Sequence, residues 1–94
     1  MATVHIPSLL RDLTGGAEQV RVDISEGEPM TVREVLEGLE QRFPGMRARL
    51  LDAQGQLVPH LAVFIDGEQA GMGLMAKVGA ENDLFFLAPI VGGA

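Results

Sequence analysis

The chain has 94 residues, which suffice for one domain with a buried core but are too few for two. With 47% hydrophobic and 21% charged residues, its composition is that of a globular protein rather than a disordered one. The formal net charge of −6 argues against binding to nucleic acid or to an anionic membrane, because both need a basic surface. The absence of cysteine excludes disulfides, thiolate nucleophiles, zinc-thiolate sites and iron–sulfur clusters. We expect one cytoplasmic domain without a signal peptide or a membrane span.

Two alternating segments predict a hairpin at the start of the chain. Polar and apolar residues alternate over 3–6 and again over 19–24, with a Gly15-Gly16 turn signal between them. Antiparallel pairing is therefore the simplest arrangement. The residues predicted to face inward are Val4, Ile6, Val20, Val22 and Ile24.

A helix follows the hairpin. Thr31 and Glu34 have the spacing of a capping box, which predicts a helix start at Thr31. The helix is expected to run to about Arg42, because Pro44-Gly45 then stops it. One more helical turn is expected over 46–51. The apolar stripe of the helix consists of Val32, Val35, Leu36, Leu39 and Phe43.

The second half of the chain predicts three further strands. Residues 61–65 alternate, with Leu61, Val63 and Ile65 inward, and Asp66-Gly67 signals a type I′ turn into a short return strand at 68–69. Residues 70–82 are rich in glycine and small side chains, so irregular structure is expected there. The last strand is expected over 84–87.

This order of elements predicts a two-layer α+β domain. One helix stripe covers one face of a mixed four- to five-stranded sheet. The first and last strands are expected to pair in parallel at the centre of the sheet, as in the β-grasp (ubiquitin-like) architecture. We expect this domain to span residues 1–89 and a flexible tail to span 90–94.

No residue pattern predicts an active site. His5 and His60 are not spaced as metal ligands with a carboxylate cluster, so a structural or solvated role is the better interpretation. Ser8 and Ser25 lack the setting of a nucleophile elbow. The 13 carboxylates are dispersed along the chain, as expected for a solvated surface. The chain is therefore predicted not to be an enzyme and to hold no metal or cofactor.

The C-terminal tail is the chemically distinctive feature. Ile90-Val91-Gly92-Gly93 follows the last strand and Pro89. A Gly-Gly segment has no side chains and adopts conformations closed to other residues. It therefore suits insertion into a narrow channel of another enzyme, although chain ends are also often merely frayed.

The segment 84–93 resembles the ending of the bacterial ubiquitin-like sulfur carriers. That family includes the small subunit of molybdopterin synthase, the thiamine-pathway sulfur carrier and the cysteine-synthesis carrier. Agreement with the family in outline is found at residues 4–7, 9–11, 31–37, 43–44 and 63–68, so the resemblance spans nearly the whole chain.

The resemblance implies a β-grasp fold and a carrier chemistry at Gly93, with Gly92 as the spacer. An adenylating enzyme would use ATP to activate the Gly93 carboxylate, and a sulfur source would convert it to a thiocarboxylate. A sulfur-accepting biosynthetic enzyme would then consume it. The carrier itself would bind no cofactor.

Ala94 departs from the family pattern, which ends at the second glycine. Gly93 has no free carboxylate while Ala94 is attached, so the resemblance implies removal of Ala94 by a partner such as a zinc metalloprotease. Relatives with such extensions occur in amino-acid and specialised-metabolite pathways, which the extension therefore favours weakly.

Two other functions remain open at this stage. In one, the chain is a ubiquitin-like modifier joined through Gly93 to a lysine of a target protein. In the other, it is an interaction module with an inert tail. A partner-binding patch is expected at Phe64, Phe85 and Leu87, which alternation places on the sheet face away from the helix. The alternative is that a loop or a second copy of the chain covers these side chains.

Overall fold

The hairpin expected at the start of the chain is present. The structure, a computed structural model, describes residues 1–87. Strand β1 (Ala2–His5) pairs antiparallel with β2 (Gln19–Val22), with Val4 opposite Val20. A short 3₁₀ turn at Ser8–Leu10 lies between them and was not predicted. Both strands begin or end within two residues of the predicted limits.

The first and last strands pair in parallel at the centre of a five-stranded sheet, as expected. The strand order is β2-β1-β7-β4-β5, with β4 at Ala62–Ile65, β5 at Glu68–Gln69 and β7 at Asp83–Leu87. Strand β7 pairs parallel with β1 and antiparallel with β4. The type I′ signal at Asp66-Gly67 is confirmed by φ angles of 52° and 86° at these two residues.

Helix α1 (Val32–Arg42) covers one face of this sheet and supplies the centre of the core. Its capping box is formed as predicted: the Glu34 amide donates to Thr31 Oγ1 at 3.1 Å, and the Thr31 amide donates to Glu34 Oε1 at 2.9 Å. Four stripe residues are buried, and Phe43 packs against the core from its margin. The buried four are Val32, Val35, Leu36 and Leu39.

Helix α2 (Met46–Leu50) follows directly and buries Met46 and Leu50. Gly45 precedes it with a φ of 104°, a left-handed conformation that favours glycine. No helix among residues 1–87 is long and apolar enough to cross a membrane.

The expectation of irregular structure over 70–82 was wrong in part. Strand β6 (Lys77–Val78) pairs antiparallel with β3 (Met30–Thr31), and a 3₁₀ turn occupies Gly73–Met75. These pieces anchor the start of α1, since the Val32 amide also donates to the Ala76 carbonyl at 2.9 Å. Two-residue strands show no alternation, and β3 and β6 are far apart in the chain and not joined by a turn signal of the kind that predicted β5, so the sequence pattern did not indicate them.

Candidate functional site

The sheet face opposite α1 carries a row of side chains that crosses all five strands. Residues that are paired across adjacent strands lie next to each other on this face. In strand order, the row consists of Gln19, His5, Phe85, Phe64 and Gln69. Its centre is therefore aromatic and its two ends are amides.

Phe64, Phe85 and Leu87 form the expected apolar patch at the middle of this face. Phe64 lies directly opposite Phe85, and Leu87 lies two residues further along the same strand. The two phenylalanines are half-buried and Leu87 is 46% exposed. Their strand neighbours Val63 and Phe86 are buried on the other face. The predicted orientation of the three side chains agrees with this alternation.

His5 is part of the same surface. Its ring stacks on that of Phe85, with 3.9 Å between centroids and 6° between planes. Its Nε2 atom lies 2.9 Å from Asp83 Oδ1. Stacking and the polar contact hold His5 flat against the sheet, which fits the structural role inferred for it. His60 lies elsewhere, exposed at a φ of 68°.

A groove of about 470 Å³ lies beside the patch, where β7 reaches Leu87. Pro7, Leu9, Phe85 and Leu87 give it apolar walls, and Glu18 and Arg11 add charges. Leu9 is 85% exposed, although its neighbour Leu10 is buried. The sequence patterns did not single out Leu9, because three leucines within five residues look like ordinary core residues.

Arg49 fixes the backbone that presents Leu9. Its Nη1 atom donates to the Leu9 carbonyl at 3.1 Å, and the guanidinium binds the Asp12 carboxylate through two hydrogen bonds of 2.8 and 3.0 Å. Hydrogen bonding to Arg49 lowers the pKa of Asp12, and Asp12 raises the pKa of Arg49. The exposed leucine is therefore held in a defined position rather than on a loose loop.

A second groove, of about 340 Å³, is lined in part by charged side chains, and one of them, Glu40, stabilises the start of α2. Glu40 accepts hydrogen bonds from the Arg47 and Gly45 amides at 2.9 and 3.1 Å. These bonds to the start of α2 lower the pKa of Glu40. Within residues 1–87, no three histidine or acidic side chains are grouped so that they hold a metal ion.

Gly92, Gly93 and Ala94 lie outside the described residues, as does the predicted boundary between 89 and 90. The last described residue is Leu87, at the end of β7. The chain therefore continues towards its Gly-Gly segment from the centre of the sheet, next to the patch and the groove.

Comparison with known proteins identifies the group to which this arrangement belongs. No protein-family model matches the chain. Small archaeal modifier protein 1 of Haloferax volcanii is 35% identical over 78 residues, which are 83% of this chain and 85% of that protein. The sulfur carrier protein CysO of Mycobacterium tuberculosis is 31% identical over 94 residues, covering 97% of this chain and 96% of CysO. The chain belongs to the family of ubiquitin-like sulfur carriers and small modifiers.

Solved structures of this family agree with the fold. In the crystal structure of a BexX/CysO complex from Amycolatopsis orientalis, one chain matches with a TM-score of 0.80 and 32% identity, covering 99% of this chain and 100% of that one. CysO of M. tuberculosis matches with a TM-score of 0.78, 26% identity and coverage of 96% and 100%. The fold is therefore the β-grasp. As the named relatives are carriers and modifiers, this family member is a carrier or modifier and not an enzyme.

Proposed function

We propose that this protein carries sulfur as a thiocarboxylate on Gly93. The observation that carries the proposal is the similarity to a sulfur carrier over 97% of the chain, together with the Gly92-Gly93 segment. The Gly93 carboxylate attacks the α-phosphate of ATP on an activating enzyme, which releases pyrophosphate and leaves an acyl adenylate. Sulfide then attacks the carbonyl carbon, AMP leaves, and the thiocarboxylate remains.

The position of β7 suits this task. It is hydrogen-bonded on both sides, to β1 and to β4, so the tail starts from a fixed base. Fully extended, residues 88–93 span at most about 20–22 Å. That length carries the terminal carboxylate away from the sheet and into the active site of a partner. Adenylation and sulfur transfer would take place in the cytoplasm. They require ATP and a sulfur source, both of which the partner enzyme would use.

Removal of Ala94 is part of the proposal. With Ala94 in place, the free carboxylate lies about 3.3–3.6 Å further along an extended chain than the Gly93 carboxylate would. Catalysis is sensitive to misplacement of about 1 Å, so the longer chain would be a poor substrate for adenylation. A zinc metalloprotease that cleaves the Gly93–Ala94 bond with a metal-activated water would release the active form.

The patch of Phe64, Phe85 and Leu87 would dock the activating enzyme and then the sulfur-accepting biosynthetic enzyme. A relative of known structure forms a complex with a second protein, which supports a partner surface on this fold. The patch also borders the point where the tail leaves the sheet, so one partner can hold both. An amino-acid or specialised-metabolite pathway is the proposed destination of the sulfur, because of Ala94.

The test compares the 1–94 and 1–93 forms after incubation with the activating enzyme, ATP and sulfide. Intact mass spectrometry should show replacement of one oxygen by sulfur in the 1–93 form and little or none in the 1–94 form. A 1–91 form, which lacks both tail glycines, is the matched negative control. Equal conversion of the two longer forms would refute the need for processing, and no conversion of either would refute the carrier function.

A second candidate function is conjugation to proteins. It is favoured by the 35% identity to an archaeal modifier protein. In that case the activated Gly93 carbonyl would form an isopeptide bond with a lysine amine and release AMP. The same incubation, repeated with cell extract and without sulfide and followed by tryptic digestion, would then yield target peptides whose lysine carries residues 78–93, because Lys77 is the last tryptic site before Gly93. An interaction module with an inert tail would give neither product.

A further inference from the structure

Strand β2 forms one edge of the sheet in the part of the chain that the structure describes. The Ile6 amide donates to the Glu18 carbonyl at 2.9 Å, which makes Ile6 and Glu18 a hydrogen-bonded cross-strand pair of the hairpin. In an antiparallel ladder such pairs alternate with pairs that do not bond each other. Thr3 and Arg21 form a pair of the second kind. The N–H and C=O groups of Arg21 therefore point away from β1.

The side chain of Arg42 covers this outward position. Its Nη1 atom donates to the Arg21 carbonyl at 2.7 Å. The guanidinium also lies over the Phe43 ring, 5.3 Å from its centroid, which orients it at the end of α1. A cation–π contact and a charge-assisted hydrogen bond thus act on the same group. Exposed sheet edges are templates for strand addition, and a charged side chain on the edge blocks them.

We propose that the edge of β2 is a self-association surface for a second copy of this chain and that Arg42 keeps it closed. Antiparallel pairing about a two-fold axis at Val22 places Arg21 of each copy opposite Asp23 of the other. Arg21 and Asp23 are both exposed, and opposite charges directly across a ladder stabilise it. The half-buried Val22 side chains would also meet at the axis.

The pairing and the Arg42 contact compete for the same carbonyl. In this register, the Asp23 amide of one copy donates to the Arg21 carbonyl of the other, and the Arg21 amide donates to the Asp23 carbonyl of the first copy. The Arg42 guanidinium occupies that place in the single chain. Strand addition therefore requires that Arg42 leave the edge.

The opposite edge of the sheet is a poorer surface. Strand β5 has only two residues, Glu68 and Gln69, and the tight Asp66-Gly67 turn precedes it. Short and acidic edge strands resist strand addition. The inference also does not depend on the proposed sulfur chemistry, because β2 is separated from the tail-bearing β7 by β1.

The experiment measures molar mass by light scattering during size-exclusion chromatography over a range of loading concentrations. We expect the wild-type chain to stay near 10.0 kDa and the Arg42→Ala variant to rise towards twice that mass. Arg33→Ala is the matched control, since Arg33 also donates from Nη1 to a backbone carbonyl, that of Gly55, at 3.3 Å. It removes the same charge away from the sheet edge and should stay near the wild-type mass.

Charge reversal tests the register. Adding Asp23→Arg to Arg42→Ala places two arginines opposite each other and should restore the single-chain mass. Adding Arg21→Asp as well exchanges the two charges and should bring the dimer back. Hydrogen exchange of the backbone amide at position 21 should slow only in the variants that dimerise. A monomeric, folded Arg42→Ala variant would overturn the proposal, as would a dimer that Asp23→Arg leaves intact.

Discussion

Leu39 offers the sharpest test of how the domain is held together. Its side chain has no exposed surface and lies on the stripe of α1 that faces the sheet. Replacement by alanine removes three carbon groups, worth about 2.4 kcal/mol at about 0.8 kcal/mol each. The cavity left behind adds to this, so Leu39→Ala should lower the free energy of unfolding by about 2–5 kcal/mol. Small domains have only about 5–15 kcal/mol in total.

Urea denaturation followed by circular dichroism measures this loss. Leu9→Ala is the matched control, because the same atoms are removed from a side chain that is 85% exposed. Its effect should stay within about 0.5 kcal/mol, as is usual for surface substitutions. The slope of the transition should be unchanged in both variants if the unfolded state is unaffected. Equal midpoints for the two variants would refute the argument that α1 supplies the centre of the core.

Three further predictions concern pH, docking and the tail. The pKa of Glu40 is lowered in the folded state, so its carboxylate stabilises the fold above its ordinary pKa, and this stability is lost as the pH falls through the folded-state pKa. In urea denaturation, the difference in stability between wild type and Glu40→Gln should therefore shrink on acidification. A difference that does not change with pH would contradict this. Leu87→Glu should weaken binding to the activating enzyme, measured by calorimetry. Met75→Ala changes an exposed apolar residue outside the patch and should leave the affinity unchanged. Equal affinities of the two variants would refute the docking role of the patch. Deleting residues 92–94 should leave the melting temperature unchanged, since the core lies within 2–86, and a large drop would assign the tail a structural role.

The sequence predicted the elements whose residues repeat with a clear period. The alternation around Val4 and Val20 gave the hairpin, and the Thr31–Glu34 spacing gave the start of α1. Each of these signals is local, since the interacting residues lie within a few positions or form a regular pattern. The parallel pairing of β1 with β7 was predicted only from the order of the elements and from the likeness to β-grasp proteins.

The candidate site was predictable in orientation but not in detail. Alternation placed Phe64, Phe85 and Leu87 on one face, because neighbouring strand residues point to opposite sides. It did not bring His5 onto Phe85 or next to Asp83, which is 78 positions away in the chain. That contact depends on the register of two strands from opposite ends of the sequence. The contact between Arg42 and Arg21 could not be predicted either, because it depends on how the end of a helix packs against the edge of the sheet.

The parallel pair at the centre of the sheet also sets when this protein becomes folded. Strand β1 begins at Ala2, and its central neighbour β7 is not complete until Leu87. Contacts between distant parts of a chain slow folding, because closing the long loop between them costs conformational entropy before the contact is gained. During synthesis, β1 and β4 therefore lack their shared neighbour until β7, the last of the strands that the structure describes, has been made. The five-stranded sheet is complete only after β7, the strand that leads towards the Gly-Gly segment, has been translated. A chain interrupted before β7 therefore has neither the central strand of its sheet nor the Gly-Gly segment that the proposed chemistry uses.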